Sequence, residues 1–118
     1  MEKVLLVDDE IDICLLLSGI LQREGFKTAY ALTLKEATNK LLSDRYEVVF
    51  LDLNLPDGVG YQLIPLIREN PQTKIIVVSA YDSEKTKARE EGADYFIPKP
   101  FNRNNVLIAL RQLEMNNT

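Results

Sequence analysis

EVVFLDLNLPDG, residues 47–58, decides how the rest of the chain is read. Val48 to Leu51 form an apolar run of strand length that stops on Asp52, and a short polar loop with Pro56 and Gly58 follows. An apolar run bounded by turn residues is the pattern of a buried strand. Asp52 therefore stands where a core strand opens into a loop, with its carboxylate at the edge of a sheet. In open α/β sheets that edge is where sites form.

The same pattern recurs on both sides of this stretch. Upstream, Val4 to Val7 is an apolar strand that ends on Asp8-Asp9-Glu10, and Phe26 to Tyr30 is a second, shorter one. Downstream, Ile75 to Val78 ends on Ser79-Ala80, and Tyr95 to Ile97 runs into Pro98-Lys99-Pro100. Helical spacing fills the gaps. Ile11, Leu15, Leu16, Gly19, Ile20 and Leu21 recur as a first helix that Gly25 closes. Thr33 with Glu36 three residues on is a capping box for a second. A third helix is expected from about Gly58 to Glu69, with Tyr61, Ile64, Leu66 and Ile67 inward and Pro65 kinking or splitting it. Asp82 to Gly92 reads as a fourth with almost no apolar face beyond Ala88, so it should be the most weakly anchored element. Asn102 or Asn104 opens the last, with Val106, Leu107, Ala109, Leu110 and Leu113 inward, before a frayed Asn116-Asn117-Thr118 tail. Five strands alternating with five helices argue for a doubly wound α/β sandwich: a parallel five-stranded sheet covered on both faces.

Composition narrows the chemistry. At 118 residues, 46% hydrophobic and 27% charged, the chain reads as one globular domain spanning 1–118. A net charge of -4 argues against direct nucleic-acid binding by this domain. No apolar run reaches the roughly 20 residues that span a bilayer, and no signal peptide precedes the first strand, so the cytoplasm is the expected compartment. A single cysteine, Cys14, leaves no internal disulfide, and the absence of histidine removes His-based acid–base chemistry and His metal sites. Carboxylate, hydroxyl and amine groups remain.

A parallel sheet collects its strand ends on one edge, and here these carry Asp8, Asp9, Asp52, Ser79 and Lys99. Taken singly, each has an ordinary role: helix cap, Asx turn, satisfied hydroxyl, solvated charge. Together they form a site. Crowded carboxylates repel one another unless a cation enters. All-oxygen ligation of this kind suits Mg²⁺, with Mn²⁺ able to substitute. A carboxylate can act as nucleophile toward phosphorus, and phosphoryl transfer mainly needs positioning and charge neutralisation.

LLVDDE at 5–10, FLDLNLPDG at 50–58, IIVVSA at 75–80 and GADYFIPKPF at 92–101, in this order, resemble the receiver domain of two-component response regulators over essentially the whole chain. The resemblance implies a flavodoxin-like sheet of strand order 2-1-3-4-5. It implies Asp52 as phosphoacceptor, with Asp8, Asp9, Asp52 and the backbone carbonyl of Asn54 around Mg²⁺. Lys99, Ser79 and the backbone of Ala80 would contact the phosphoryl group. Ser79 and Phe96 would be the switch pair, and the Lys99-Pro100 bond would be cis. Tyr95, next to Phe96, should face the other way, since strand neighbours alternate. Pro98 stiffens the loop beyond the family's common pattern. Tyr81, two residues after Ser79, is placed to shield an acyl phosphate from water.

The resemblance further implies a histidine kinase or histidine phosphotransfer protein as donor. It implies an output partner or effector domain, which the sequence leaves unknown, and pairing of copies through the fourth helix, fifth strand and fifth helix. The domain would act on itself only, phosphorylating and dephosphorylating Asp52, and so is not a turnover enzyme. DLNLPDG is similar to the same segment in transcription-activating regulators, a hint that the receiver was excised from a longer chain. One alternative is a phosphohydrolase of the haloacid dehalogenase type, which needs a second Asp two residues after the nucleophile. That position is Asn54, which cannot transfer a proton usefully. The other is a degenerate receiver that only binds partners, against which the intact acid, hydroxyl and lysine set argues.

Overall fold

The computed structural model describes residues 2–115. The expected tail at 116–118 lies outside them. The main elements are β1 (Lys3–Val7), α1 (Ile11–Arg23), β2 (Lys27–Ala31), α2 (Leu34–Ser43), β3 (Val48–Asp52), α3 (Ile64–Ile67), β4 (Lys74–Ser79), α4 (Glu84–Glu91), β5 (Tyr95–Pro98) and α5 (Arg103–Met115). The five strands form one parallel sheet in the order β2-β1-β3-β4-β5, as the resemblance implied. Among the described residues, no helix is long and apolar enough to cross a membrane.

Alternating side chains divide the core in two. Leu5, Val7, Val49, Leu51, Ile75 and Val77 point to one face and pack with Ala37, Ile64, Ile67 and Ala88 of α2, α3 and α4. Val4, Leu6, Phe50, Ile76, Val78 and Ile97 point to the other and pack with Cys14, Leu17 and Leu21 of α1 and Val106, Ala109 and Leu113 of α5. Register aligns Val7 with Leu51 and Leu51 with Val77, so the strand ends share one edge.

Helix ends follow the sequence signals. The Thr33 hydroxyl accepts the Glu36 N–H at 3.0 Å, and the Glu36 carboxylate accepts the Leu32 N–H at 3.0 Å. Asn102 and Asn105 cap each other reciprocally at 2.9 and 2.8 Å, which selects Asn102 as the start of α5. Gly92 ends α4 in the left-handed region, φ 113°, where a side chain would be strained.

Two expectations need correction, and the split at Pro65 follows as expected. The inward stripe of α1 is Cys14, Leu17, Ile20 and Leu21, whereas Ile11, Leu15 and Leu16 are exposed. The helix is apolar almost all round, so periodicity alone could not fix its phase. Asn54–Leu55 and Gly58–Val59 pair as a small antiparallel hairpin where a helix start was expected. The third helix then splits at Pro65 into a 3-10 turn, Gly60–Leu63, and the four-residue α3. Pro65 has no N–H to continue the ladder, and the Ile64 N–H closes on the Tyr61 carbonyl instead.

Gly60 ties this segment to the site. Its N–H donates to the Leu53 carbonyl at 2.9 Å, and a Cβ there would drive into the backbone carbonyl of Asp52. Gly60→Ala is therefore expected to destabilise the fold by about 1–3 kcal/mol, the usual cost of overpacking, in urea titration. An unchanged midpoint would show that the β3 loop yields freely.

Candidate functional site

Every strand end except that of β2 brings a group to the site. Asp8 closes β1 and is 3% exposed; its Oδ1 accepts the Glu10 N–H at 2.9 Å, and the Cys14 thiol sits 3.5 Å under its carbonyl. Asp52 closes β3 and is 5% exposed, with the Asn54 N–H 3.4 Å from Oδ1. Ser79 closes β4, buried, and its hydroxyl accepts the Tyr81 N–H at 3.1 Å. Lys99 follows β5, its N–H bonded to the Ser79 carbonyl at 2.8 Å. The Lys99-Pro100 peptide is cis.

Lys99 gathers the acids. Its Nζ lies 3.0 Å from Asp8 Oδ2, 3.6 Å from Asp52 Oδ2 and 3.7 Å from Glu10 Oε1. Carboxylate oxygens of Asp8, Asp9 and Glu10 come within 4.8 Å of one another, and Lys99 joins Asp52 to this group. The structure thus brings Asp8, Asp9, Asp52, Ser79 and Lys99 to one edge and adds Glu10 as a partner of Lys99. Asn54 lies beside Asp52 on the exposed loop, and Ala80 is exposed next to Ser79. Phe96 is half-buried against the α2–α4 face and Tyr95 against the α1–α5 face, so the two rings do face opposite ways. Tyr81 is 60% exposed.

The electrostatics follow from burial and charge excess. Burial, followed by the charge of Asp8, pushes Asp52 up to about 6. Burial also raises Asp8, against the pull of the Glu10 N–H and Lys99. For Lys99, burial lowers the pKa, but the Asp8 hydrogen bond and the charges of Asp52, Asp8 and Glu10 outweigh it and leave it raised. One amine thus faces three acids, Asp8, Glu10 and Asp52, with Asp9 grouped beside Asp8 and Glu10. That surplus of oxygen ligands and negative charge fits a hard divalent cation. Burial pushes the Cys14 thiol to about 12, so it stays protonated and serves as packing.

One contributor was not legible in the sequence. Asp57, in the loop after β3, accepts the N–H groups of Leu34 and Lys35 at 2.8 and 3.1 Å. It caps α2 from 22 to 23 residues away in sequence and pins the loop leaving Asp52. Only tertiary contact reveals that pairing.

The family model for the response regulator receiver domain matches residues 4–111. The transcriptional regulatory protein CpxR of Escherichia coli K12 is 34% identical over 115 residues, which cover 96% of this chain and 49% of CpxR. The transcriptional regulatory protein SrrA of Staphylococcus aureus is 36% identical over 113 residues, covering 94% and 47%. The chain therefore spans about half the length of the curated relatives it matches. Among solved structures, the response regulator TrrA of Thermotoga maritima, in complex with Mg(2+)-BeF, superposes with a TM-score of 0.85 at 32% identity, covering 96% of this chain and 99% of TrrA.

Proposed function

The chain belongs to the response regulator receiver family of two-component signalling, and we propose that Asp52 is its phosphoacceptor. The observation that carries this is one buried carboxylate held at about 6 beside a lysine and a surplus of acids. Asp8, Asp9, Asp52 and the Asn54 carbonyl would hold Mg²⁺. When bound, Mg²⁺ supplies positive charge that keeps these carboxylates ionised and favours an incoming phosphoryl oxygen.

The chain's own residues do the rest. An Asp52 carboxylate oxygen attacks phosphorus, forming the acyl phosphate O–P bond. The donor's P–N bond breaks, and its imidazole keeps the electron pair and takes a proton from water. Lys99 exchanges its hold on Asp8 and Asp52 for a phosphoryl oxygen. Ser79 gives up the Tyr81 N–H and donates its hydroxyl to another, with the Ala80 N–H beside it. The space it leaves is taken by Phe96, which carries the change to α4 and β5. The domain acts on itself and hydrolyses its own acyl phosphate without a separate substrate. The absence of an acid at Asn54 makes that hydrolysis slow and disfavours the dehalogenase-type reading.

The donor is a histidine kinase or phosphotransfer protein. The exposed apolar side of α1, at Ile11, Leu15 and Leu16, borders the site and suits its docking. Two copies would pair through α4, β5 and α5, where Ile108 is 45% exposed. Because the curated relatives are about twice as long, an output module or partner completes the signal.

Beryllofluoride with Mg²⁺ tests the reading as a phosphoryl mimic. It should shift amide resonances of Ser79, α4 and β5, and no shift at saturating reagent would contradict the assignment. Tyr81→Ala should shorten the life of the acyl phosphate several-fold in a dephosphorylation time course, since its ring flanks the phosphate. An unchanged rate would remove the shielding role.

A further inference from the structure

Helix α4 buries a single residue, Ala88. A helix with so little apolar surface needs other attachments. At its C-terminal end Arg68 donates to the Gly92 carbonyl at 2.7 Å and to Asp94 at 2.8 Å. Arg68 also holds the Thr73 carbonyl, and Asp94 also accepts the Ile75 N–H, so this attachment belongs to the sheet framework. The N-terminal half is held differently. The Tyr61 hydroxyl donates to Glu84 Oε2 at 3.2 Å, and Lys87 Nζ stands 5.5 Å from the centre of the Tyr61 ring. Glu84 and Lys87, three residues apart, share one helix face. Burial, followed by the Glu84 hydrogen bond, pushes the Tyr61 hydroxyl up to about 12, so it remains the donor.

Both ends of this contact root in the site. Tyr61 follows Gly60, which packs against the Asp52 carbonyl. The Glu84 N–H bonds to the Tyr81 carbonyl at 3.0 Å, and the Tyr81 N–H bonds to the Ser79 hydroxyl at 3.1 Å. A closed circuit therefore runs from Asp52 through Gly60, Tyr61, Glu84 and Tyr81 to Ser79.

We infer that Tyr61 is a clasp on α4: its bonds to Glu84 and Lys87 hold the helix in the resting arrangement and set how readily Asp52 accepts a phosphoryl group. This rests on the reading of Asp52 as phosphoacceptor. A rearranged Ser79 moves Tyr81 and, through it, the first turn of α4, so the Tyr61–Glu84 bond opposes the change. Linkage makes the effect reciprocal: what stabilises the resting arrangement alone weakens ligand binding at Asp52 by the same factor.

The test is a beryllofluoride titration at saturating Mg²⁺, read on α4 amide resonances, in the wild type, Tyr61→Phe, Glu84→Gln and the double variant. Tyr61→Phe should tighten apparent binding about fivefold, the net scale of one ordinary hydrogen bond. Without ligand, its resonances at 85–91 should already lie part of the way toward the bound wild-type positions. Glu84→Gln keeps an acceptor oxygen but removes its charge, so it should act in the same direction more weakly, and the double variant should gain little over Tyr61→Phe, because both act on one bond. Unchanged or weaker binding by Tyr61→Phe and Glu84→Gln, in a background where the wild type responds, overturns the clasp. A wild type that does not respond at all overturns the phosphoacceptor reading and the clasp with it. Glu84→Gln carries the test if Tyr61→Phe does not fold.

Discussion

Asp52→Asn is expected to abolish the Mg²⁺-dependent response to beryllofluoride and acetyl phosphate while making the metal-free protein more stable at neutral pH. The first half follows from removing the nucleophile. The second follows from linkage. Burial and the Asp8 charge raise Asp52 from 3.8 to about 6 in the folded protein. Between those values the folded form binds more protons than the unfolded one, so stability falls as pH rises through this window. The cost is fully present above about pH 6 and absent below about pH 4. A shift of this size corresponds to on the order of 3 kcal/mol. Asparagine keeps the shape and carries no charge, so urea midpoints of the variant should exceed the wild type at pH 7 and converge with it near pH 4. A variant no more stable than the wild type at pH 7 would mean that Asp52 is not strained by its surroundings.

Lys99→Ala should have an effect of similar size and opposite sign on stability. The Lys99 side chain is 15% exposed, and its amine is the cation joining Asp8, Asp52 and Glu10. Its loss leaves Asp8 and Asp52 buried beside each other with no counter-charge, an arrangement that commonly costs about 3 kcal/mol or more. Protonation of either acid relieves the cost, so the deficit should be large at pH 8 and small near pH 4. Phosphoryl uptake should slow by at least about a hundredfold, the scale of losing one preorganised charge on a developing oxyanion. Equal stability of variant and wild type across pH 4–8 would show that the acids find another partner, and an unslowed uptake would remove Lys99 from the chemistry.

The parts that the sequence made legible share a cause. β1, β3 and β4 are apolar runs buried over nearly their whole length, and each leads into a polar residue, Asp8, Asp52 or Ser79, that is itself buried at the sheet edge. Their ends therefore announced both the sheet and the site. Thr33 with Glu36 and Pro65 are local signals that had their expected structural effect, and the apolar poverty of 83–91 shows as a helix that buries Ala88 alone. The failures are where the signal is not local. α1 carries apolar residues on every side, so which of them face the sheet is set by packing with β1, β3 and α5. The 54–59 hairpin forms because Asp57 is fixed on the start of α2 and Gly60 on Asp52, neither of which spacing can show. Tyr61 looked like a core residue, but it lies half-buried with its hydroxyl on Glu84, 23 residues away in sequence. Glu10 read as the third acid of a run, and only folding brought it to Lys99.

The central claim is that Asp52 takes up a phosphoryl group. Its most direct test is intact and peptide mass spectrometry after incubation with acetyl phosphate and Mg²⁺. One added phosphoryl group is expected, lost in alkali or on treatment with hydroxylamine, mapped to Asp52 and absent from Asp52→Asn. A protein that gains no phosphoryl group, or gains it elsewhere with Asp52 unmodified, would contradict it.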